Sequence, residues 1–384
     1  MPGLITGNKY LSIKHRNAMV YTLTEYKMLK NRPLIADLFK TDILLVYGSD
    51  LEAVSHENWP RLKSKILDFA SKKNIKLIIL DGTGDPCILN ERHDGYCPSY
   101  IDIQKDLNQT FKTIIITEDY TYYYHPTNDI FYLPYSLWLP ATRSIHKYYS
   151  YQDTVYDTTL NKTKSLMCLN RSLVWHRIYM LMLMHNKPWI ENIDFSFVLP
   201  MGNRLDNKPV ISKYITEKEK QIIKKIPTPI FLDYENSADD VIIAYNNGAT
   251  NVNTPVYSRC AINLVTETTV NQGIGFSEKT TKAIMAYQIP ILVSTLGANQ
   301  HLEDLGIDMF SDYVPWKEWD NIEDDKLRMN KIVDFVDSIM QNQDSILQTH
   351  SSFHQRLIKN KQYFHSDTFI NLCLKQVIDL YSHN

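Results

Sequence analysis

Three runs in the first third of the chain, TDILLVYG (41–48), IKLIILDG (75–82) and KTIIIT (112–117), are nearly unbroken stretches of apolar residues that end on small or polar ones. A strand that is apolar on both faces has to be covered on both faces, which is the condition of a parallel sheet with crossover helices. The connections supply such helices. HENWPRLKSKILDFASKK, between the first two runs, is amphipathic, and 99–110 reads as a helix before the third. The alternation predicts a doubly wound α/β sheet, whose ligands sit in crevices outside the carboxyl ends of the strands.

At 384 residues the chain exceeds what one hydrophobic core usually serves, so two domains are expected. The polar, unperiodic YDTTLNKTK (156–164) marks the boundary, giving one domain over 1–155 and a second over 156–366. The second alternates again. SLMCLN (165–170), NLVTET (263–268) and ILVST (291–295) read as strands, and RSLVWHRIYMLMLMHN as a helix ending near Pro188. Helices are expected at about 324–341 and 343–360. The last amphipathic stretch, 367–384, is expected as a helix able to pack back on the first domain.

A net charge of −2 argues against a protein that wraps nucleic acid by bulk charge, although Lys14, His15 and Arg16 can line a local groove. The five cysteines form no CxxC pair, which removes zinc-ribbon and thioredoxin-like readings. Cys168 and Cys260 fall in strand-like runs, where a thiol serves as a small hydrophobe. Reduced thiols, an N-terminus with no apolar signal core and the lack of any run of eighteen apolar residues point to a cytoplasmic protein without a membrane span. His350 and His354 have metal spacing but no third ligand, so no metal is expected. Asp239-Asp240 and Asp324-Asp325 read as helix-flanking charge, and EKEKQIIKK (217–225) as a solvated helix face. The run YTYYYH (120–125), with Trp138, either fills a domain core or stacks a sugar or base.

The stretch GFSEKTTKAIMAYQIPILV (275–293) places a charged pair before an apolar helix. Ser277 suits the N-cap and Glu278 suits the positive helix end, but Lys279, and Lys282 one turn later, sit where the backbone dipole repels them. Free amides beside an ammonium make a phosphate site, and a carboxylate next to it can take the hydroxyls of a ribose. CLNRSLVWHR (168–177) repeats the arrangement. Asn170 ends a strand, and Arg171, His176 and Arg177 lie in the loop and first turns of the next helix, where arginines can clamp a pyrophosphate. The plainer alternative is that Arg177 pairs with an acid across a domain interface.

These two motifs together resemble nucleotide-sugar glycosyltransferases of the GT-B type, specifically those related to alpha-1,3-fucosyltransferases and their viral and bacterial relatives. The resemblance rests on Leu169-Asn170 through His176-Arg177, on Phe276-Ser277-Glu278-Lys279 and on Ile289-Pro290-Ile291, in order and at suitable spacing, and covers about 165–315. GANQHLEDLGIDMF and NLVTET also look like segments of those relatives. The resemblance implies two Rossmann-like domains facing across a cleft, with 1–155 on the acceptor side and 156–366 binding the donor. It implies that Arg177 and Lys279 hold the diphosphate and Glu278 the ribose, with Asn170, Glu267 and Ser277 close by.

Glycosyl transfer needs the leaving diphosphate stabilised, which fixed cations and helix amides can do, and no DxD motif occurs, in keeping with metal-independent transfer without a cofactor. An inverting enzyme also needs a base for the acceptor hydroxyl. The candidates follow strand ends: Asp81 and Asp85 in LDGTGDP, Glu118 and Asp119 in ITEDY, each of which can equally cap a turn. The acidic "GEN" segment of the fucosyltransferases is not found. The expected activity is transfer of a sugar from a UDP- or GDP-linked donor to a glycan or to a hydroxymethylated base in viral DNA. The competing reading is a non-catalytic nucleotide-binding or structural protein that keeps the fold.

Overall fold

Among the described residues every strand lies in one of two all-parallel sheets. The computed structural model describes residues 20–22, 43–47, 59–82, 99–117, 121–124, 129–134, 159–170, 174–197, 209–227, 254–270 and 276–373. The chain divides into two compact units, Met1–Ser144 with Gln272–Gly275 and Ile370–Asn384, and Ile145–Asn271 with Phe276–Phe369.

The first unit carries β1 (Val20–Thr22), β2 (Ile43–Tyr47), α1 (Trp59–Lys72), β3 (Leu77–Gly82), α2 (Tyr100–Leu107), β4 (Thr113–Thr117), α3 (Thr121–Tyr124) and β5 (Ile130–Tyr132). Alternate residues of the strands, Leu44, Val46, Ile78, Leu80 and Ile115, share one face. That face meets Trp59, Leu62, Ile66 and Ala70 of α1 and Tyr100, Ile103 and Leu107 of α2, the helical spacing read in the sequence. Ser99 caps α2 by accepting the Asp102 amide at 3.1 Å. Tyr122 is half-buried against this same core, so this tyrosine of the 120–125 run fills the interior.

The winding differs from expectation. The described strands lie in the order β1-β2-β3-β4-β5, so among the described residues each crossover of this sheet steps the same way and no reversal of winding is seen. Right-handed crossovers stepping one way keep their helices on one face, and α1 and α2 do share one core.

The second unit holds β6 (Lys164–Asn170), α4 (Trp175–Met184), β7 (Asp194–Phe197), α5 (Pro209–Tyr214), α6 (Glu217–Ile223), α7 (Thr254–Arg259), β8 (Cys260–Thr266), α8 (Glu278–Met285) and β9 (Ile289–Val293). It continues through α9 (Ala298–Asp304), α10 (Asp325–Met340), α11 (Gln343–Ser352) and α12 (His354–Phe364), and α13 (Asp367–Cys373) closes the described chain. The strand order is β7-β6-β8-β9. From β6 the chain steps outward to β7, and from β8 it steps the other way to β9. This sheet is doubly wound, with its switch point between β6 and β8.

Four details depart from the sequence reading. The last strand begins at Ile289 and contains Pro290, which a strand at the sheet edge tolerates because one side of its backbone needs no ladder bond. The helix expected over 343–360 breaks at Phe353, whose ring packs on Phe310 at 5.4 Å while Arg356 beyond it pairs with Asp308 and Asp312, each at 2.8 Å. The 217–225 stretch is not simply solvated: Lys220 is buried, and Glu219 closes a capping box with Thr216 and pairs with Lys326 at 2.7 Å. Short strands β1, β5 and β7 carry too few residues to have shown a period. Asp324 and Asp325 are helix-flanking as expected, since Asp324 accepts the Leu327 amide at 2.8 Å and Asp325 pairs with Arg328. Cys168 and Cys260 are buried free thiols in β6 and β8, and burial pushes Cys168 up to about 12.

A chain-reversing glycine ends α9. Gly306 has φ 83°, its amide donates to Glu303 and the Ile307 amide to Leu302, the paired bonds of a Schellman cap. A β-carbon there would fall against the Tyr363 ring and hydroxyl. Gly306→Ala is therefore expected to destabilise the second unit by about 1–3 kcal/mol, combining left-handed strain with overpacking, and a urea midpoint measurement checks it.

Candidate functional site

The two ends of the second sheet are built from opposite chemistry. At the amino ends of β6, β7 and β8, the fully buried Asp194 carboxylate pairs with Lys164 at 2.8 Å and with Arg259, and takes the Cys260 thiol hydrogen at 3.2 Å. Burial alone would raise the Asp194 carboxyl, but its bonds to Arg259 and Lys164 outweigh that and hold it low. This edge is closed by its own ion pairs.

The carboxyl ends gather polar side chains instead. Asn170, the last residue of β6, is buried and accepts the Thr266 hydroxyl hydrogen across the β6–β8 pair, while its amide reaches the Cys168 sulfur at 3.3 Å. His176 and Arg177 stand in the first turn of α4, and both are buried. The His176 Nε2–H donates to the Glu267 carbonyl at 2.8 Å. The Arg177 guanidinium donates to that carbonyl at 3.0 Å and to the Thr266 carbonyl at 3.3 Å. Burial, then the charges of Arg177 and Lys279, push the His176 imidazole down to about 3, so it is neutral at physiological pH.

At the second junction Ser277 caps α8, its hydroxyl accepting the Lys279 amide at 3.3 Å and the Lys279 ammonium at 3.3 Å. The anion that answers this helix end comes from inside the chain. Glu267, with no exposed surface, accepts the Ser277 amide at 3.0 Å with one carboxylate oxygen and the Thr280 hydroxyl with the other. That corrects the expectation in one respect, because part of the positive end of α8 is already met by a buried carboxylate. Lys279 is half-buried and Lys282 buried.

The structure thus brings together Asn170, His176, Arg177, Glu267, Ser277 and Lys279 around the switch point between β6 and β8. Lys282 lies one turn deeper in α8, and Glu278 opens that helix with its side chain outside the described residues. Arg171, Asp85, Glu118, Asp119, Trp138 and Lys14 to Arg16 also lie outside them. Asp81 is in β3, in register with Tyr47 and Ile116, and its side chain is not described. Thr266 and Thr280 were missed as members of the network. Their signal was a hydroxyl at the end of a strand, directly before a glutamate, and another in the first turn of the helix that follows.

Other candidates resolve as structure. His350 is buried and donates to the Tyr287 carbonyl at 2.7 Å, with the His354 ring edge-on at 5.5 Å, and among the described residues no group of three metal-ligating side chains occurs. No described helix is long and apolar enough to cross a membrane.

No protein-family model matches the chain, and no curated protein matches it in sequence. Among solved structures it is similar to a DNA-modifying beta-glucosyltransferase studied with and without its substrate uridine diphosphoglucose, at 12% identity and a TM-score of 0.36, over 93% of this chain and 99% of that one. It is also similar to the S. aureus MnaA–UDP complex, at 9% identity and a TM-score of 0.37, over 95% of this chain and 96% of the other.

The buried histidines set a pH dependence. Burial lowers His176 to about 3 and His301 and His350 to about 4, each from an ordinary value near 6.5. The unfolded chain then binds more protons than the folded one below pH 6.5, so stability falls as pH falls through that window. Between pH 6.5 and 5, each is expected to contribute a loss of roughly 1.5–2 kcal/mol, visible as a steady drop in urea midpoint beginning well above the carboxylate range.

Proposed function

We propose that the chain is a nucleotide-sugar glycosyltransferase whose donor diphosphate lies in the crevice between β6 and β8. One observation carries the reading: at a topological switch point, where ligands of open α/β sheets bind, the strand-to-helix junctions of the neighbouring strands β6 and β8 converge with Arg177 and Lys279 in the first turns of their helices. Cations at helix N-termini are placed against the backbone dipole, which an incoming phosphate would relieve.

The two cations divide the work. Arg177 is turned onto the Thr266 and Glu267 carbonyls, so it shapes the junction and supplies positive potential from behind. Lys279, half-buried, is the group we assign to direct contact with the phosphates, and Glu278 to the ribose. In transfer, the acceptor oxygen bonds to the anomeric carbon as the bond to the diphosphate oxygen breaks. The electron pair leaves with the diphosphate, whose charge these groups stabilise without a metal, and the acceptor proton passes to a carboxylate of the first unit, drawn from Asp81, Asp85, Glu118 and Asp119. In this reading the two units are Rossmann-like domains facing across a cleft, and the acceptor is a glycan or a hydroxymethylated DNA base. DNA binding would be recognised by a steep loss of affinity with salt.

The second reading, a nucleotide-binding protein without catalysis, draws on Glu267, because a helix end already answered by an internal carboxylate needs no ligand to be stable. Slow hydrolysis of a UDP- or GDP-sugar by the purified chain, without acceptor, would reject it.

A thermal-shift screen of UDP, GDP, CDP and pyrophosphate tests the proposal, since a ligand that binds only the folded state raises its melting temperature. At least one nucleoside diphosphate is expected to do so. Lys279→Ala is expected to weaken that ligand about 10- to 100-fold, the size of one charge-assisted bond, with the melting temperature of the free protein unchanged. Arg177→Ala is expected to lower stability as well. Unaltered affinity in Lys279→Ala removes the proposed site.

A further inference from the structure

The structure assigns Glu267 a positioning role: we propose that it joins the two cationic junctions mechanically and does not itself touch ligand. Each polar group of this residue goes to a different element. Its amide donates to the Val293 carbonyl at 3.0 Å, fixing it to the end of β9. Its carbonyl takes His176 at 2.8 Å and Arg177 at 3.0 Å, both in the first turn of α4. Its carboxylate takes the Ser277 amide at 3.0 Å and the Thr280 hydroxyl, holding the first turn of α8. With 0% of its surface exposed it has no face left for a substrate. The helices it joins follow strands that wind in opposite directions, so right-handed crossovers place them on opposite faces of the sheet. A residue at the crevice between those faces is where one side chain and its own backbone can reach both. The consequence is a fixed spacing between Arg177 and Lys279, which a diphosphate bridging two helix ends requires.

The affinity part rests on the phosphate reading above, whereas the mechanical part does not, and the experiment separates them. Amide hydrogen exchange on the free full-length chain is compared for wild type, Glu267→Ala and Thr280→Val. In Glu267→Ala, exchange should quicken about tenfold both in residues 174–184 and in 276–285, the scale of a buried donor losing its acceptor, with 325–340 unchanged. In Thr280→Val it should quicken in 276–285 alone. If Glu267→Ala loosens only 276–285, the carboxylate is a local cap and the proposal is overturned. Should Glu267→Ala not fold, Glu267→Met carries the same comparison, because its thioether keeps the length of the side chain but cannot replace the two carboxylate oxygens as acceptors for the Ser277 amide and the Thr280 hydroxyl.

For affinity, inorganic pyrophosphate is titrated into Arg177→Lys, Lys279→Ala and the double variant, first with Glu267 intact and then with each combined with Glu267→Met. The two substitutions should be coupled at least about fivefold with the glutamate present and additive within about twofold without it. Coupling that survives Glu267→Met overturns the positioning role. If wild type binds no pyrophosphate, the phosphate reading fails by itself, and the exchange result still decides the mechanical claim.

Discussion

A carboxylate with no exposed surface has lost the water that would solvate it, and the protein must supply donors in place of that water. Glu267 receives them from Ser277 and Thr280, which obliges the chain after β8 to return its helix end to the strand it has just left. Its carbonyl is held as firmly, by the neutral imidazole of His176 and the guanidinium of Arg177. The geometry of both junctions therefore hangs on one position. Leaving any of these donors without its acceptor would cost about 1–3 kcal/mol, a large part of the stability of an ordinary domain.

The neutrality of His176 follows from the same arrangement. Buried near two cations, the ring does not carry a second proton, so it can only be a donor through one nitrogen, and the Glu267 carbonyl fixes which one. A protonated histidine would have added a third positive charge beside Arg177 and Lys279. A neutral one holds the turn without doing so. Hydrogen bonds to carbonyl and hydroxyl oxygens help to fix the positions of the two charges.

Much of the fold was legible because the strands announce themselves by composition. Residues 43–47, 77–82, 113–117 and 164–170 are apolar on both faces, and only a parallel sheet covered on both sides accommodates that. What the pattern did not contain was direction. Nothing in the residues of β1–β5 states whether the next strand is laid to the left or the right, so the steady order of the described strands in the first sheet was not foreseen, and the reversal in the second was not read from its residues either. The break at Phe353 was hidden for a related reason: its neighbours keep helical spacing, and the turn is imposed by Phe310, Asp308 and Asp312 from a segment well upstream. At the site, Lys279 and Arg177 were visible as cations at the wrong helix ends. The role of Glu267 was not, because a strand-terminal glutamate looks the same in sequence whether it faces ligand or the first turn of the next helix.

The contrast between the two edges of the second sheet gives direction to the remaining argument. A parallel sheet has chemically distinct ends, since its loops after strands point one way and its loops before strands the other. At the amino end, Asp194 collects Lys164 and Arg259, so these cations are matched by a carboxylate within the fold. At the carboxyl end, Arg177 donates to the Thr266 and Glu267 carbonyls and the Lys279 ammonium to the Ser277 hydroxyl, beside the buried Glu267 carboxylate. Under the proposed function that end receives the diphosphate, and contacts to carbonyl and hydroxyl oxygens hold Arg177 and Lys279 where an arriving phosphate can add to them.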